Sequence, residues 1–177
     1  VDAFRVDAAT GQLSVAPGTK LNYEAKPEYV VSIETSDNGT PALTATATVH
    51  IHLQDYNEAP LLVAQKREVP EGEAVNSLVG TALVAIDEDG GQVITWSIVQ
   101  QQGATPSPFT IDRSNGQIRT SEILDYETHP SYEFMVMAAD NSDTVPLNTT
   151  ATITILIRDV NEAPVFEDQC ALADSTH

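Results

Sequence analysis

Cysteine is nearly absent from this chain. Cys170 is the single one, so no disulfide can form within the chain, and the compartment must be read from other signals. Basic residues are also scarce. Eight Lys and Arg stand against 26 Asp and Glu, for a formal net charge of -18. That balance argues against nucleic acid and against anionic membrane surfaces as partners. No apolar run approaches the roughly 18 residues that a membrane span needs. Nothing at residue 1 resembles a signal peptide, so any secretion signal or membrane attachment is expected outside this segment. No Ser-His-Asp set, no Gly-rich phosphate loop and no convincing helical periodicity appears. Enzyme chemistry is left with paired carboxylates, Asp87 with Asp89 or Asp125 with Glu127. A glycosidase uses such a pair, but these pairs fall at domain ends rather than in a cleft.

What the chain does have is alternation. Hydrophobic residues make up 41% of it, and their periodic placement excludes a disordered, solvated acid tail. Leu43, Ala45, Ala47, Val49, Ile51 and Leu53 alternate with Thr44, Thr46, Thr48, His50, His52 and Gln54, a strand with one apolar and one polar face. His50 and His52 share the polar face. No third metal ligand is evident in the sequence, so the pair is read as exposed. Further strands are expected at 4–6, 12–15, 29–34, 61–69, 79–86, 93–99, 109–112, 117–120, 132–139 and 151–157. Trp96 shares a face with Ile94 and Ile98 and is assigned to the core. Short turns link the strands, and the pattern is that of an all-β sandwich.

The chain repeats itself. Asp55-Tyr56-Asn57-Glu58-Ala59-Pro60 returns as Asp159-Val160-Asn161-Glu162-Ala163-Pro164, 104 residues later. Phe4, Asp7 and Gly11 correspond to Phe109, Asp112 and Gly116. Tyr23, Glu24, Tyr29 and Asp37 correspond to Tyr126, Glu127, Tyr132 and Asp140. Shared aromatics and glycine need only a shared fold. Shared loop acids are read as needing another reason, since solvated loops do not demand acids at fixed places. Proline after each linker ends the strand before it, and the linker oxygens suit a hard cation such as calcium. Two sequons, at Asn38 and Asn148, fall in expected loops and fit an exported glycoprotein.

These motifs resemble the extracellular repeats of the cadherin superfamily. The phrases that carry the resemblance are Pro-Glu-Gly at 70–72, Asp-Glu-Asp at 87–89 and Phe-x-Ile-Asp-x-x-x-Gly-x-Ile from Phe109. Leu-Asp-Tyr-Glu at 124–127, Ala-Ala-Asp at 138–140 and the Asp-Val-Asn-Glu-Ala-Pro linker complete them. The resemblance implies tandem seven-stranded Greek-key β-sandwiches with Ca2+ ions at each junction. Residues 1–60 would be the last four strands of one repeat plus its linker, 61–164 a complete repeat, and 165–177 the start of a third. With the first strands of the first repeat lacking, the chain is expected to be a segment of a longer polypeptide, with donation of the strands by another chain as the alternative.

Carried over position by position, the first junction would be built from Glu24, Asp55, Tyr56, Asn57, Glu58, Ala59, Asp87, Asp89 and Asp140. Tyr56 and Ala59 would offer carbonyls. Asn22 stands where an aspartate is usual and removes one charge from the outermost ion. Two well-formed ions are therefore expected at residues 55–58. Glu71, Asp125, Glu127, Asp159, Val160, Asn161 and Glu162 would form half of a second junction, and Asp37 would serve one upstream. The expected function is a non-enzymatic, calcium-rigidified, extracellular or cell-surface segment used for adhesion or as a spacer in an array or filament. Its partners would be neighbouring repeats and an adhesive or filament-forming protein. A protein- or glycan-binding receptor ectodomain and a carboxylate hydrolase are the alternatives. Thr-rich rather than aromatic exposed faces favour the spacer.

Overall fold

The structure is a computed structural model that describes residues 3–99 and 107–164. Residues 165–177, expected to open a third repeat, lie outside the described residues. Among the described residues all ten elements are strands: β1 (Phe4–Val6), β2 (Leu13–Val15), β3 (Glu28–Ser36), β4 (Thr44–His52), β5 (Gln65–Pro70), β6 (Thr95–Val99), β7 (Phe109–Ile111), β8 (Ile118–Thr120), β9 (Ser131–Ala139) and β10 (Asn148–Arg158). No helix among the described residues is long and apolar enough to cross a membrane.

The chain divides into two compact units, each built from three separate stretches. The first comprises Val1–Leu62, Ala85–Thr95 and Ala138–Thr149, and the second Val63–Val84, Trp96–Met137 and Thr150–His177. In the first unit, β1 pairs antiparallel with β2, and β3 with β4 over nine residue pairs from Glu28↔His52 to Ser36↔Thr44. Tyr29, Val31 and Ile33 lie half-buried on one face, while Glu28, Val30 and Ser32 face solvent. That is the period-two division that strand geometry imposes.

The second unit holds most of the core. Its four-stranded sheet runs β5-β10-β9-β6, with β5 parallel to β10 in the register Ile153↔Gln65 to Arg158↔Pro70. Ile153, Ile155 and Ile157 project to one side and are buried with Val136, Val69, Phe109, Ile118 and Trp96. The β7–β8 hairpin turns at Gly116, whose φ of +71° suits glycine. Here glycine also has no substitute by size, since a Cβ would sit 2.9 Å from Trp96 Cε2.

One expected strand is not a strand. Residues 79–86 make only isolated bridges, Leu61↔Ile86 and, just before the run, Leu78↔Arg119. Gly80 lies at φ +58°, which breaks the extended run. The Arg67 side chain then takes the role of a ladder neighbour, donating from Nε to the Thr81 carbonyl at 2.8 Å and from Nη2 to the Ala82 carbonyl at 2.9 Å. The first strand of this repeat is likewise shorter than expected, beginning at Gln65 rather than Leu61.

The internal repeat extends to contacts. Phe4 meets Tyr29 edge-on at 5.1 Å and 79°, and Phe109 meets Tyr132 at 5.4 Å and 84°. Gly11 N–H donates to the Asp7 carbonyl at 2.8 Å, as Gly116 does to Asp112 at 2.9 Å. The shared acids at these turns have a structural reason that the sequence reading did not foresee. Asp7 Oδ1 accepts from the Ala9 and Thr10 amides, and Asp112 Oδ1 from the Ser114 amide and hydroxyl. Asp37 and Asp140 close their loops in the same way, through Leu43 and Leu147. Local side-chain acceptors of this kind stabilise turns without any ligand.

Candidate functional site

Within the first unit, carboxylate oxygens of Glu24, Asp55 and Asp89 all lie within 4.8 Å of one another. The linker brings Asp55, and its Glu58 N–H donates to the Asp89 carboxylate, at Oδ2, at 3.0 Å. Asp89 is buried to 8% exposure. It is positioned in turn by Asp87, whose Oδ1 accepts the Asp89 amide at 3.1 Å. Asn57 ties in the remaining expected member, donating from Nδ2 to Asp140 Oδ2 at 3.0 Å and to the Val145 carbonyl at 3.1 Å. Tyr56 and Ala59 stand exposed in the same linker. An open cleft of about 420 Å³ runs beside the group, with Asp55, Asn57, Asp89 and Gln92 among its walls.

The electrostatics are those of crowded acids. Burial pushes the Glu58 carboxyl above its ordinary pKa, and the charges of Glu24, Asp89, Glu88 and Asp55 add to that. Asp87 is raised for the same reasons, burial first, with Asp89 and Asp140 as the like charges. Burial works against ionisation of Asp140 too, but donors from Asn57, Ser142 and Leu147 outweigh it and hold its pKa low. Two buried oxygens here, Asp87 Oδ2 and Gln92 Oε1, have no hydrogen-bond partner. Buried polar atoms are ordinarily paired, so this all-oxygen donor set fits a hard cation. A cation would also offset the repulsion of like charges at this spacing.

Within the second unit, Glu71, Asp125 and Glu127 form a second group inside 4.8 Å. Glu71 is buried to 5% exposure. Each of its oxygens takes a backbone donor, Tyr126 N–H at 2.6 Å and Val160 N–H at 2.7 Å. Asp125 binds the Thr128 hydroxyl and amide, which lowers its pKa. Glu127 is raised: its own backbone donor lowers it, but desolvation and the charges of Glu71, Asp159 and Asp125 prevail. Asp159, Val160, Asn161 and Glu162 are exposed.

The doubtful members separate from these groups. Asn22 accepts the Ala25 amide at 2.6 Å and donates to Glu88 Oε2 at 2.7 Å. Asp37 is engaged by the Gly39 and Leu43 amides. Asn38 is exposed in the β3–β4 loop, whereas Asn148, expected in a loop, is the exposed first residue of β10. The sequence reading did not single out Gln92, which donates to Asn57 Oδ1 at 2.6 Å, or Asn141, whose Oδ1 accepts the Val93 amide at 2.6 Å. Their positions beside Asp89 and Asp140 were the only available signal.

The family model described as Cadherin domain matches residues 1–54 and 65–158. Protocadherin-16 of Homo sapiens is 37% identical over 169 residues, covering 93% of this chain and 5% of its own length. Protein dachsous of Drosophila melanogaster is 35% identical over 150 residues, covering 80% of this chain and 4% of its own length. The chain thus spans only a small part of the curated relatives it matches. Among solved structures, Protocadherin Gamma B2 extracellular cadherin domains 1-5 superpose with a TM-score of 0.63 at 23% identity, covering 92% of this chain and 32% of that one. Mouse Cadherin-23 EC22-24 gives 0.58 at 24% identity, covering 89% and 50%. These last two likenesses speak to the fold alone.

Proposed function

The chain belongs to the cadherin family, and from that premise we propose that it is a calcium-rigidified extracellular segment of a tandem array. It consists of cadherin repeats of the protocadherin, Fat and dachsous type, which are adhesion modules and not enzymes. The repeat divisions of the proposal are 1–60, 61–164 and 165–177. Glu24, Asp55, Asn57, Glu58, Asp87, Asp89 and Asp140 hold Ca2+, with the Tyr56 and Ala59 carbonyls completing the set. Glu71, Asp125, Glu127 and the Asp159–Glu162 linker contribute part of a further site. The single observation that carries the reading is the close approach of Glu24, Asp55 and Asp89 around a buried Asp89, beside an unpartnered Asp87 oxygen.

The mechanism is linkage. Calcium supplies the positive charge that lets these acids sit together. Since it binds only the ordered arrangement, it stabilises that arrangement by mass action. Extracellular modules of this kind bind calcium at roughly 10⁻⁴ to 10⁻³ M, so the sites fill outside a cell and empty inside. Neighbouring repeats of the same polypeptide are the immediate partners, and an adhesive or filament-forming protein is the distant one. Asn38 and Asn148 carry glycans.

Calcium titration by calorimetry tests the proposal. Saturable binding that disappears when Asp55 and Asp89 are both changed to Asn supports it. No heat of binding up to about 10 mM calcium, well above the usual affinity range, refutes it.

A further inference from the structure

The loop that carries Asp87 and Asp89 also carries Gln92, and the two ends of its amide fare differently. The nitrogen is engaged: Gln92 Nε2 donates to Asn57 Oδ1 at 2.6 Å. The oxygen is not. Gln92 Oε1 is buried and has no hydrogen-bond partner among the described residues, and the same holds for Asp87 Oδ2. A chain of partners fixes this outcome. Asn57 Nδ2 donates to Asp140 Oδ2 at 3.0 Å and to the Val145 carbonyl at 3.1 Å. Both partners are acceptors, so the Asn57 nitrogen must face them and its Oδ1 must face Gln92. Gln92 then answers with its own nitrogen, and turning its amide over would set oxygen against oxygen. The backbone beside it is held too, since the Val93 N–H donates to Asn141 Oδ1 at 2.6 Å. Gln92 lines the open cleft together with Asp55, Asn57 and Asp89.

We propose that Gln92 Oε1 is a calcium ligand, a neutral oxygen in the all-oxygen site that Asn57, Asp87 and Asp89 also serve. The inference rests on the calcium reading of that site. A buried acceptor left unpaired costs about 1–3 kcal/mol, and a cation is the partner that suits this one. Calcium takes about six to eight oxygens, side-chain amide carbonyls among them, and its affinity follows the charge and rigidity of the ligands. The neighbouring acids already repel one another, so an amide adds an oxygen without adding repulsion. Asn57 Oδ1 keeps a second lone pair while it accepts from Gln92, so the bond between the two amides need not break when the ion arrives. Gln92 thus helps to set the affinity of the site, and the chain from Gln92 through Asn57 to Asp140 keeps its ligands in place.

The test is calcium titration of the full chain by calorimetry, comparing the parent with two variants. Gln92→Met is similar in length and removes the oxygen. Gln92→Glu keeps an oxygen and removes the donor to Asn57. The expected result is that Gln92→Met weakens one calcium-binding step about tenfold or more, while Gln92→Glu binds at least as tightly as the parent. In nuclear magnetic resonance spectra of the parent, the Gln92 side-chain amide signals, identified by their loss in Gln92→Met, shift along the same saturation curve. Parent-like binding by Gln92→Met overturns the assignment and leaves the calcium site standing. Equal weakening by both variants also overturns it, because the side chain then acts only by positioning Asn57. Absence of calcium binding in the parent refutes the calcium site itself, and the assignment with it.

Discussion

Asp89→Asn separates charge from shape at the proposed calcium site. Asparagine keeps an oxygen for the Glu58 N–H, now bound at 3.0 Å, and removes only the negative charge. Asp89 shares its group with Glu24 and Asp55 inside 4.8 Å. At about that distance each like-charge pair costs about 0.9 kcal/mol in water's dielectric. Two pairs, roughly halved by salt at physiological strength, leave about 1 kcal/mol of repulsion that the variant relieves. Without calcium it should therefore melt about 2–4 °C above the parent, given the size of the chain. With about 2 mM calcium the parent gains about 0.6–1.8 kcal/mol per ion, or twice that for two ions. The variant forfeits most of this, so the order of melting temperatures reverses. Differential scanning calorimetry in calcium and in EDTA reads both halves. A variant that melts lower in both buffers would refute the reasoning, because it would make Asp89 a structural acceptor rather than a ligand.

Glu71→Ala should leave the Tyr126 and Val160 amides without acceptors at a buried site and lower stability by about 2–4 kcal/mol, measured by urea unfolding in EDTA, while Glu71→Gln loses less. Gly116→Ala places a Cβ against Trp96 at a positive φ and should destabilise by about 1–3 kcal/mol, with a change in tryptophan emission. The Asp112 pKa is held low by the Ser114 hydroxyl and amide. Its contribution is present above the unfolded carboxylate pKa and is lost as pH falls through the lower folded value. The stability gap between parent and Asp112→Asn should be flat near neutrality and close below about pH 4, as read from urea midpoints across pH.

The all-β class, the repeat and the buried Trp96 were legible because alternation and turn glycines are local signals. The failed strand at 79–86 shows the limit of such signals. Its apolar pattern was good, but Gly80 and the side-chain donors of Arg67 decide its backbone, and neither is visible in periodicity. The acids show a second limit. Recurrence marked Asp7, Asp37 and Asp112 alike, yet only the hydrogen bonds distinguish a turn-closing carboxylate from the gathered oxygens of Glu24, Asp55 and Asp89. Gln92 lies 35 residues beyond Asn57, and only the fold joins them.

The parallel pairing of β5 with β10 has a mechanical meaning. The chain enters this repeat ahead of Gln65 and leaves it after Arg158, and the two strands point the same way. A pull on the two ends therefore drags them past each other lengthwise. Such a load is shared by the six paired positions at once instead of opening them one by one like a zipper. Rupture under force is governed by the unfolding barrier rather than by equilibrium stability, and shearing a whole ladder raises that barrier. The first and last strands of the repeat thus act as a clamp along the line of tension.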